Sequence, residues 1–335
     1  MSVKSDQVAA EPVSRDKPPE PTGRRNMLDP GQGRRGWLLI VPTLVTLTIV
    51  IVYPVFRAVY QSFQQDEMID PQSGMFVTGG FAGIDNYTHW ILQRCGDVSC
   101  PTGNNAASFY TSVWITVMFT VITVILETIL GLWFAMIMNK NIRGRGLLRA
   151  AILIPWAIPT AVTAKLWYFI FAYEGIANSL AHVNILWTGS QWPARMAIIV
   201  ADTWKTTPFM ALLILAGLQL ISTEVYESAK VDGASAWQRF THITLPLVRP
   251  ALMVAVLFRT LDVLRMYDLP AILTQGSNGT TTLSILVVDE LHGAPNSAAA
   301  LSTITFLFIF FIAFVFIKFL GANVTDDDPA QRKGK

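Results

Sequence analysis

The sequence predicts an all-α integral membrane protein with six transmembrane helices, and three observations predict it. Apolar residues make up 52% of the 335-residue chain and charged residues only 14%, against about 25% charged in a typical soluble protein. Six apolar stretches reach the roughly 20 residues needed to cross a bilayer. Lys and Arg gather between alternate stretches, as the positive-inside rule requires. With 25 Lys+Arg and 23 Asp+Glu, a soluble surface of this size would be short of charge. That argues against a cytosolic globule and against a disordered chain. Two cysteines exclude a disulfide scaffold and a zinc ribbon. Scattered basic residues at a pI of 8.5 do not form a nucleic-acid face.

The elements follow in order. Residues 1–36 are polar, interrupted by Pro12, Pro18 and Pro19, and hold seven Lys/Arg; they read as a disordered tail. The first apolar stretch, 37–56, lies too deep for a cleaved leader and is expected to be retained. The others are 110–138, 147–171, 197–221, 251–273 and 299–320. The fifth is the weakest, because Arg259, Asp262, Arg265 and Asp268 interrupt it. Buried helices of a soluble protein are the alternative, and six such stretches in one chain disfavour it.

Loop charges orient the chain. With the N-terminus in the cytoplasm, segments 1–36, 139–149, 222–250 and 318–335 are inside and hold 18 Lys/Arg. The outer segments 57–109, 174–195 and 272–297 hold 3. Both termini are therefore expected in the cytoplasm of a multi-pass plasma-membrane protein. This divides the chain into a tail (1–36), a six-helix transmembrane domain (37–320) and a second cytoplasmic tail (321–335). Outer loop 57–109 carries Cys95 and Cys100. An oxidising exterior permits a disulfide there, and two free thiols are the other reading. His89 stands alone beside them, so no metal site is expected.

No catalytic constellation is present. The chain lacks G-x-x-x-x-G-K-[ST], H-E-x-x-H and G-x-S-x-G, and its four histidines share no motif. It is not expected to be an enzyme, or to hold a cofactor or a metal. Polar groups inside the spans are more informative. A charge at mid-bilayer costs about 2.5–3.5 kcal/mol on insertion scales, so such groups face a cavity or a partner. Asp202 and Lys205 are three residues apart and share a helix face. Arg259 and Asp262 repeat that spacing. Thr206, Thr207, Pro208 and Phe209 follow the first pair, and Pro155 and Pro159 flank Trp156 in the third stretch. Proline in a span is tolerated beside a cavity or other helices. A polar cavity with aromatic walls suits a sugar. The competing reading is that each charge pair only neutralises itself. Glu127 and Lys165 are read as structural.

Loop 222–250 is the most informative segment. Residues 224–239 predict one amphipathic helix, or two broken at Gly233. Val225, Ala229, Ala236 and Phe240 form its apolar side. Gly233 permits a tight turn, and Pro246 is expected to break the chain before the next span. Glu227-Ser228-Ala229 is followed by three residues, Gly233, nine residues, then Ile243-Thr244-Leu245-Pro246. This resembles the EAA loop of ABC importer permeases, E-A-A, three residues, G, nine residues, I-x-L-P. Ser228 in place of the first Ala is the one departure.

The resemblance implies a type I ABC importer permease fold. It implies that Glu227, Ser228, Ala229, Asp232, Gly233, Ala234, Ile243, Leu245 and Pro246 couple to an ATPase subunit. Such permeases work in pairs, so a second homologous permease is implied. So are an ATPase dimer that binds ATP and Mg, an extracellular substrate-binding lipoprotein and surrounding membrane lipid.

Residues 203–218, 231–246 and 257–268 further resemble the sugar subfamily, most of all the first permease of trehalose importers of the mycobacterial type. The disaccharide site of that subfamily lies on the spans before and after the EAA loop. Carried over without gaps from Glu227, its positions are Asp202, Lys205, Thr206 and Phe209, then Arg259, Asp262, Val263 and Met266. These side chains differ in type from those of maltose permeases. Trehalose is the leading substrate, and another sugar or glycerol 3-phosphate is the alternative. Two other classes compete: an ion-driven secondary transporter has no use for an ATPase dock, and a membrane-anchored enzyme or scaffold lacks a catalytic constellation here.

Overall fold

The computed structural model describes residues 30–69, 75–77, 79–95, 98–101 and 103–318. The C-terminal tail and residues 1–29 of the N-terminal tail lie outside these. The chain divides into two units, residues 1–56 and 57–335.

The first unit holds α1 (Pro30–Leu47), a π-helical turn (Thr48–Val52) and the start of α2 (Tyr53–Gln61). The helix begins at Pro30, ahead of the expected Trp37. Pro42 lies within it, and the Thr46 hydroxyl donates to the Pro42 carbonyl at 2.9 Å. Trp37–Gln61 is long and apolar enough to span a bilayer.

In the second unit, β1 (Met68–Ile69) pairs antiparallel with β2 (Phe76–Val77). Next come α3 (Asp85–Ile91) and the hairpin of β3 (Arg94–Cys95) and β4 (Val98–Ser99). Trp90 of α3 is fully buried, and its indole N–H donates to the Ser297 carbonyl at 3.1 Å.

The long helices follow. They are α4 (Phe109–Asn139), α5 (Arg145–Ala157) and α6 (Thr160–Ile170), then, after a short α7 (Ile176–Ala181), α8 (Gln191–Gln219). Along α4 the hydroxyls of Thr116, Thr120 and Thr123 bond back to the carbonyls of Ser112, Thr116 and Phe119 at 2.7–2.8 Å. These buried polar atoms are thereby satisfied within one apolar helix. Helices α4 and α8 approach closely because Gly131 has no side chain. A Cβ there would lie 2.9 Å from Met210 Cβ. Ile115, Phe119 and Ile198 fill one end of this packing, and Met138, Met210 and Ile214 the other.

The remaining elements are α9 (Thr223–Val231), α10 (Ala236–Arg239), α11 (Leu245–Val263), α12 (Asp268–Leu273), α13 (Leu283–Leu291) and α14 (Pro295–Phe316). Five helices among the described residues are long and apolar enough to span, and six when the bent α5–α6 pair counts as one.

Three local expectations are corrected. The stretch 147–171 is not a straight span: α5 and α6 meet at 90°. Ile158 is extended and Pro159 follows it. Proline disfavours the helical conformation in the residue before it. The stretch 251–273 ends as a helix at Val263, and its spanning part begins earlier, covering Ala236–Val263. Pro246 does not break the chain. It sits in the first turn of α11, where a missing N–H is harmless, and a π-helical turn (Phe240–Thr244) joins α10 to α11.

Candidate translocation site and coupling loop

Arg259 of α11 is the hub of a buried charge cluster. Its Nε donates to Glu127 Oε2 of α4 at 2.5 Å, and its Nη2 to Glu127 Oε1 at 3.0 Å. Nη2 also donates to Asp202 Oδ2 of α8, and Nη1 to Asp262 Oδ2 one turn along α11. The Thr206 hydroxyl donates to Glu127 Oε1 at 2.5 Å. One guanidinium thus ties three helices through three carboxylates. Glu127 is fully buried and Arg259 nearly so, whereas the Asp262 side chain is 66% exposed. Burying such charges is tolerable only when each keeps its bonds.

The spacing of the charges anticipated two local pairs. Arg259–Asp262 forms as expected. Asp202 pairs instead with Arg259 across helices, and Lys205 donates to the Ile158 carbonyl at 2.7 Å, at the α5–α6 bend. Glu127, read as merely structural, stands at the centre, 132 residues from its partner Arg259. No short-range spacing could have signalled it. Lys165 is exposed and lies over the Tyr168 ring at 5.7 Å.

A cavity of about 140 Å³ opens against this cluster. Asp202, Thr206, Arg259, Asp262, Val263 and Met266 line it, six of the eight residues anticipated for a ligand. Phe209 and Lys205 do not. Phe209 stacks on Trp156 with ring centroids 5.7 Å apart and so braces the same bend as Lys205. The walls also include Thr160, Arg265, Tyr267 and Asp268, which the sequence reading did not assign to a ligand. Arg265 and Asp268 were visible only as charges interrupting the fifth stretch. Fixed carboxylates, a guanidinium and hydroxyls can exchange hydrogen bonds with a polyhydroxylated ligand.

The EAA-like segment forms two helices broken at Gly233, whose φ is +77°. Helix α9 ends in bonds from Asp232 N to the Ser228 carbonyl and from Ala234 N to the Ala229 carbonyl, both at 2.9 Å. A capping box starts α10: Gln238 N donates to Ser235 Oγ at 3.2 Å, and Ser235 N to Gln238 Oε1 at 2.7 Å. The Tyr226 and Thr244 hydroxyls are 3.0 Å apart and hold α9 against the π-helical turn. Glu227, Ser228, Asp232, Gly233, Leu245 and Pro246 are exposed, and Ala229, Ala234 and Ile243 are half-buried. Trp237 is 72% exposed and Val231 87%, an apolar surface with polar surroundings.

In segment 57–109, Cys95 and Cys100 form a disulfide. His89 does not stand apart: its Nδ1 lies 3.9 Å from both sulfurs and 2.8 Å from the Arg94 carbonyl. With the sulfurs bonded to each other, neither is a thiolate.

Comparison with known proteins places this geometry. The model of the family "Binding-protein-dependent transport system inner membrane component" matches residues 127–326. The "Trehalose/maltose transport system permease protein MalF" of Thermococcus litoralis is 38% identical over 295 residues, 86% of this chain and 94% of that protein. The "Trehalose transport system permease protein SugA" of Mycobacterium tuberculosis is 36% identical over 303 residues, 89% of this chain and 92% of that protein. A chain of a bacterial ABC transporter that imports the acidic polysaccharide alginate shares the fold, with a TM-score of 0.67 at 19% identity. The match covers 88% of this chain and 97% of that one. The EAA-like loop, the long apolar helices and relatives matched over almost their whole length agree, and the chain belongs to the binding-protein-dependent inner membrane components, the permease subunits of ABC importers.

Proposed function

We propose that this permease forms half of the translocation path for a disaccharide, trehalose first, delivered by an extracellular substrate-binding lipoprotein. A second, homologous permease supplies the other half. The observation that carries this reading is the small polar cavity against Arg259, Asp202 and Asp262 between the helices that flank the coupling loop. The lining sets the cations Arg259 and Arg265 among the carboxylates Asp202, Asp262 and Asp268. Walls of mixed sign suit a neutral polyol better than glycerol 3-phosphate, which favours net positive charge. Relatives whose names include trehalose support the sugar.

In this reading Asp202, Thr206, Arg259, Asp262, Val263 and Met266 form the ligand cavity, while Lys205 and Phe209 brace its α5–α6 wall. Loop 222–250 faces the cytoplasm and seats in an ATPase subunit through Glu227, Ser228, Ala229, Asp232, Gly233, Ala234, Ile243, Leu245 and Pro246. The ATPase dimer binds ATP and Mg and drives the spans through this contact. Both tails, 1–36 and 321–335, lie in the cytoplasm, consistent with the Lys/Arg asymmetry.

The test is ATP hydrolysis by the complete complex with its binding protein, measured with trehalose, maltose and glycerol 3-phosphate. Stimulation by trehalose supports the full reading. Stimulation only by another ligand discards the sugar, and failure of any ATPase subunit to co-purify discards the docking loop.

A further inference from the structure

The charge cluster is layered. Four of the five N–H groups that a guanidinium offers are already bonded in Arg259, to Glu127 twice, to Asp202 and to Asp262. Little of Arg259 remains for a ligand. Asp262 differs. It takes the Arg259 bond on Oδ2, its side chain is 66% exposed, and it lines the cavity. A line of bonds therefore runs from Glu127, wholly buried and outside the cavity lining, through Arg259 to a carboxylate at the cavity wall.

A purely structural purpose explains this arrangement poorly. Helices α4, α8 and α11 already interlock through Gly131 against Met210 and Gly217 against Ala251. Buried ion pairs seldom stabilise more than apolar groups of the same shape would. What the cluster adds is direction. Two bonds from Glu127 fix the plane of the guanidinium, and that plane fixes where Asp262 stands. The Thr206 hydroxyl in turn fixes Glu127.

We propose that Glu127 is a positioning residue for sugar recognition, which holds Arg259 so that Arg259 aims the Asp262 carboxylate into the cavity. Glu127 does not itself touch the sugar. This rests on the reading of the cavity as the sugar site.

The experiment reconstitutes the complete complex in proteoliposomes with saturating binding protein, loaded with trehalose or with maltose, and reads the ratio of the two uptake rates. A residue that only stabilises the bundle lowers both rates and leaves their ratio unchanged. Asp262→Asn is expected to shift the ratio about tenfold, the size of one charge-assisted hydrogen bond. Glu127→Gln is expected to shift it in the same direction by a similar factor. In the double variant the Glu127 change is expected to add nothing, because it acts through Asp262. An Asp262→Asn shift with an unchanged ratio in Glu127→Gln overturns the proposal and leaves the sugar site standing. Independent, multiplying shifts also overturn it. An unchanged ratio in Asp262→Asn overturns the sugar-site reading and the proposal with it. Should Glu127→Gln fail to assemble, Arg259→Lys replaces it. That variant keeps a buried cation but cannot bridge three carboxylates, and it must show the same shift, masked in the Asp262→Asn background; an unchanged ratio overturns the proposal.

Discussion

Lys205 donates its ammonium N–H to the carbonyl of Ile158, at 2.7 Å, where α5 gives way to α6. Ile158 is extended and precedes Pro159, so the helical bonding of α5 ends there. A carbonyl at a helix C-terminus, set among apolar side chains, needs a donor. A cation also complements the negative end of the helix dipole. Lys205 meets both needs from α8, and this leaves Asp202 to Arg259.

Removing that donor tests the bend. Lys205→Met keeps the length of the side chain and leaves the Ile158 carbonyl unpaired, an expected loss of about 1–3 kcal/mol. Thermal unfolding of the purified complex should shift downward accordingly. An unchanged melting temperature would mean that the 90° bend is held without Lys205.

Helix contact gives a second test. A Cβ at Gly217 would stand 2.3 Å from Ala251 Cβ and 3.2 Å from a Val248 methyl. Because Ala251 belongs to α11, Gly217→Ala must push α8 and α11 apart. Overpacking of this kind typically costs about 1–3 kcal/mol. A lower melting temperature is expected for Gly217→Ala and a partial recovery for Gly217→Ala with Ala251→Gly. Lack of recovery would show that the strain is not at this contact.

These two contacts show what the sequence could and could not reveal. The spans were legible because apolar length is a local property, and so was the i,i+3 pair of Arg259 and Asp262. The break between α9 and α10 was legible because Gly233 acts on its own backbone, whereas Pro246, expected to break the chain, sits in the first turn of α11. The 90° bend was not legible in Pro155 and Pro159, which by themselves read only as prolines tolerated within a span, and α8 braces it with Lys205 and Phe209. Glu127 was illegible as a site residue. A lone acid in an apolar helix reads as structural until the helix carrying Arg259 is laid beside it. The actual partners of Asp202 and Lys205 were hidden for the same reason, since their nearest charges in sequence were each other.

The N-terminal end of α14 offers a third test. Both carboxylate oxygens of Asp66 accept backbone N–H bonds there, from Asn296 at 2.7 Å and from Ser297 at 2.8 Å. These are unsatisfied donors of the first helical turn, and an acidic acceptor suits them. Asp66→Ala is expected to cost about 0.5–2 kcal/mol, as for loss of a helix cap. The local readout is hydrogen exchange, which should accelerate at Asn296 and Ser297 while the middle of α14 stays protected. Unchanged protection at both amides would remove Asp66 as the cap.

The EAA-like loop gives the last test. Gly233 sits at φ +77° between α9 and α10, and its N–H donates to the Lys230 carbonyl at 3.1 Å. Only a residue free to adopt that backbone lets Ala234 N reach back to the Ala229 carbonyl and α10 start at its Ser235 cap. Gly233→Ala places a Cβ in the left-handed region, at a cost of about 1–2 kcal/mol. Gly233→Pro is more severe, because its ring fixes φ near −65° and removes the N–H. No atom beyond its chain neighbours stands within 4 Å of a Cβ built at Gly233, so the damage comes from the backbone and not from crowding. The turn sets the angle between the exposed face of α9, which carries Glu227 and Val231, and Trp237 of α10. A partner that grips both helices must feel a change in that angle, whereas the spans need not. Glu227→Ala with Gly233→Pro is therefore expected to leave membrane insertion intact while co-purification of the ATPase subunit and sugar-dependent ATP hydrolysis are both lost. Gly233→Ala should fall between this variant and the native chain. Normal ATPase capture and uptake by the double variant would show that the partner engages a different surface.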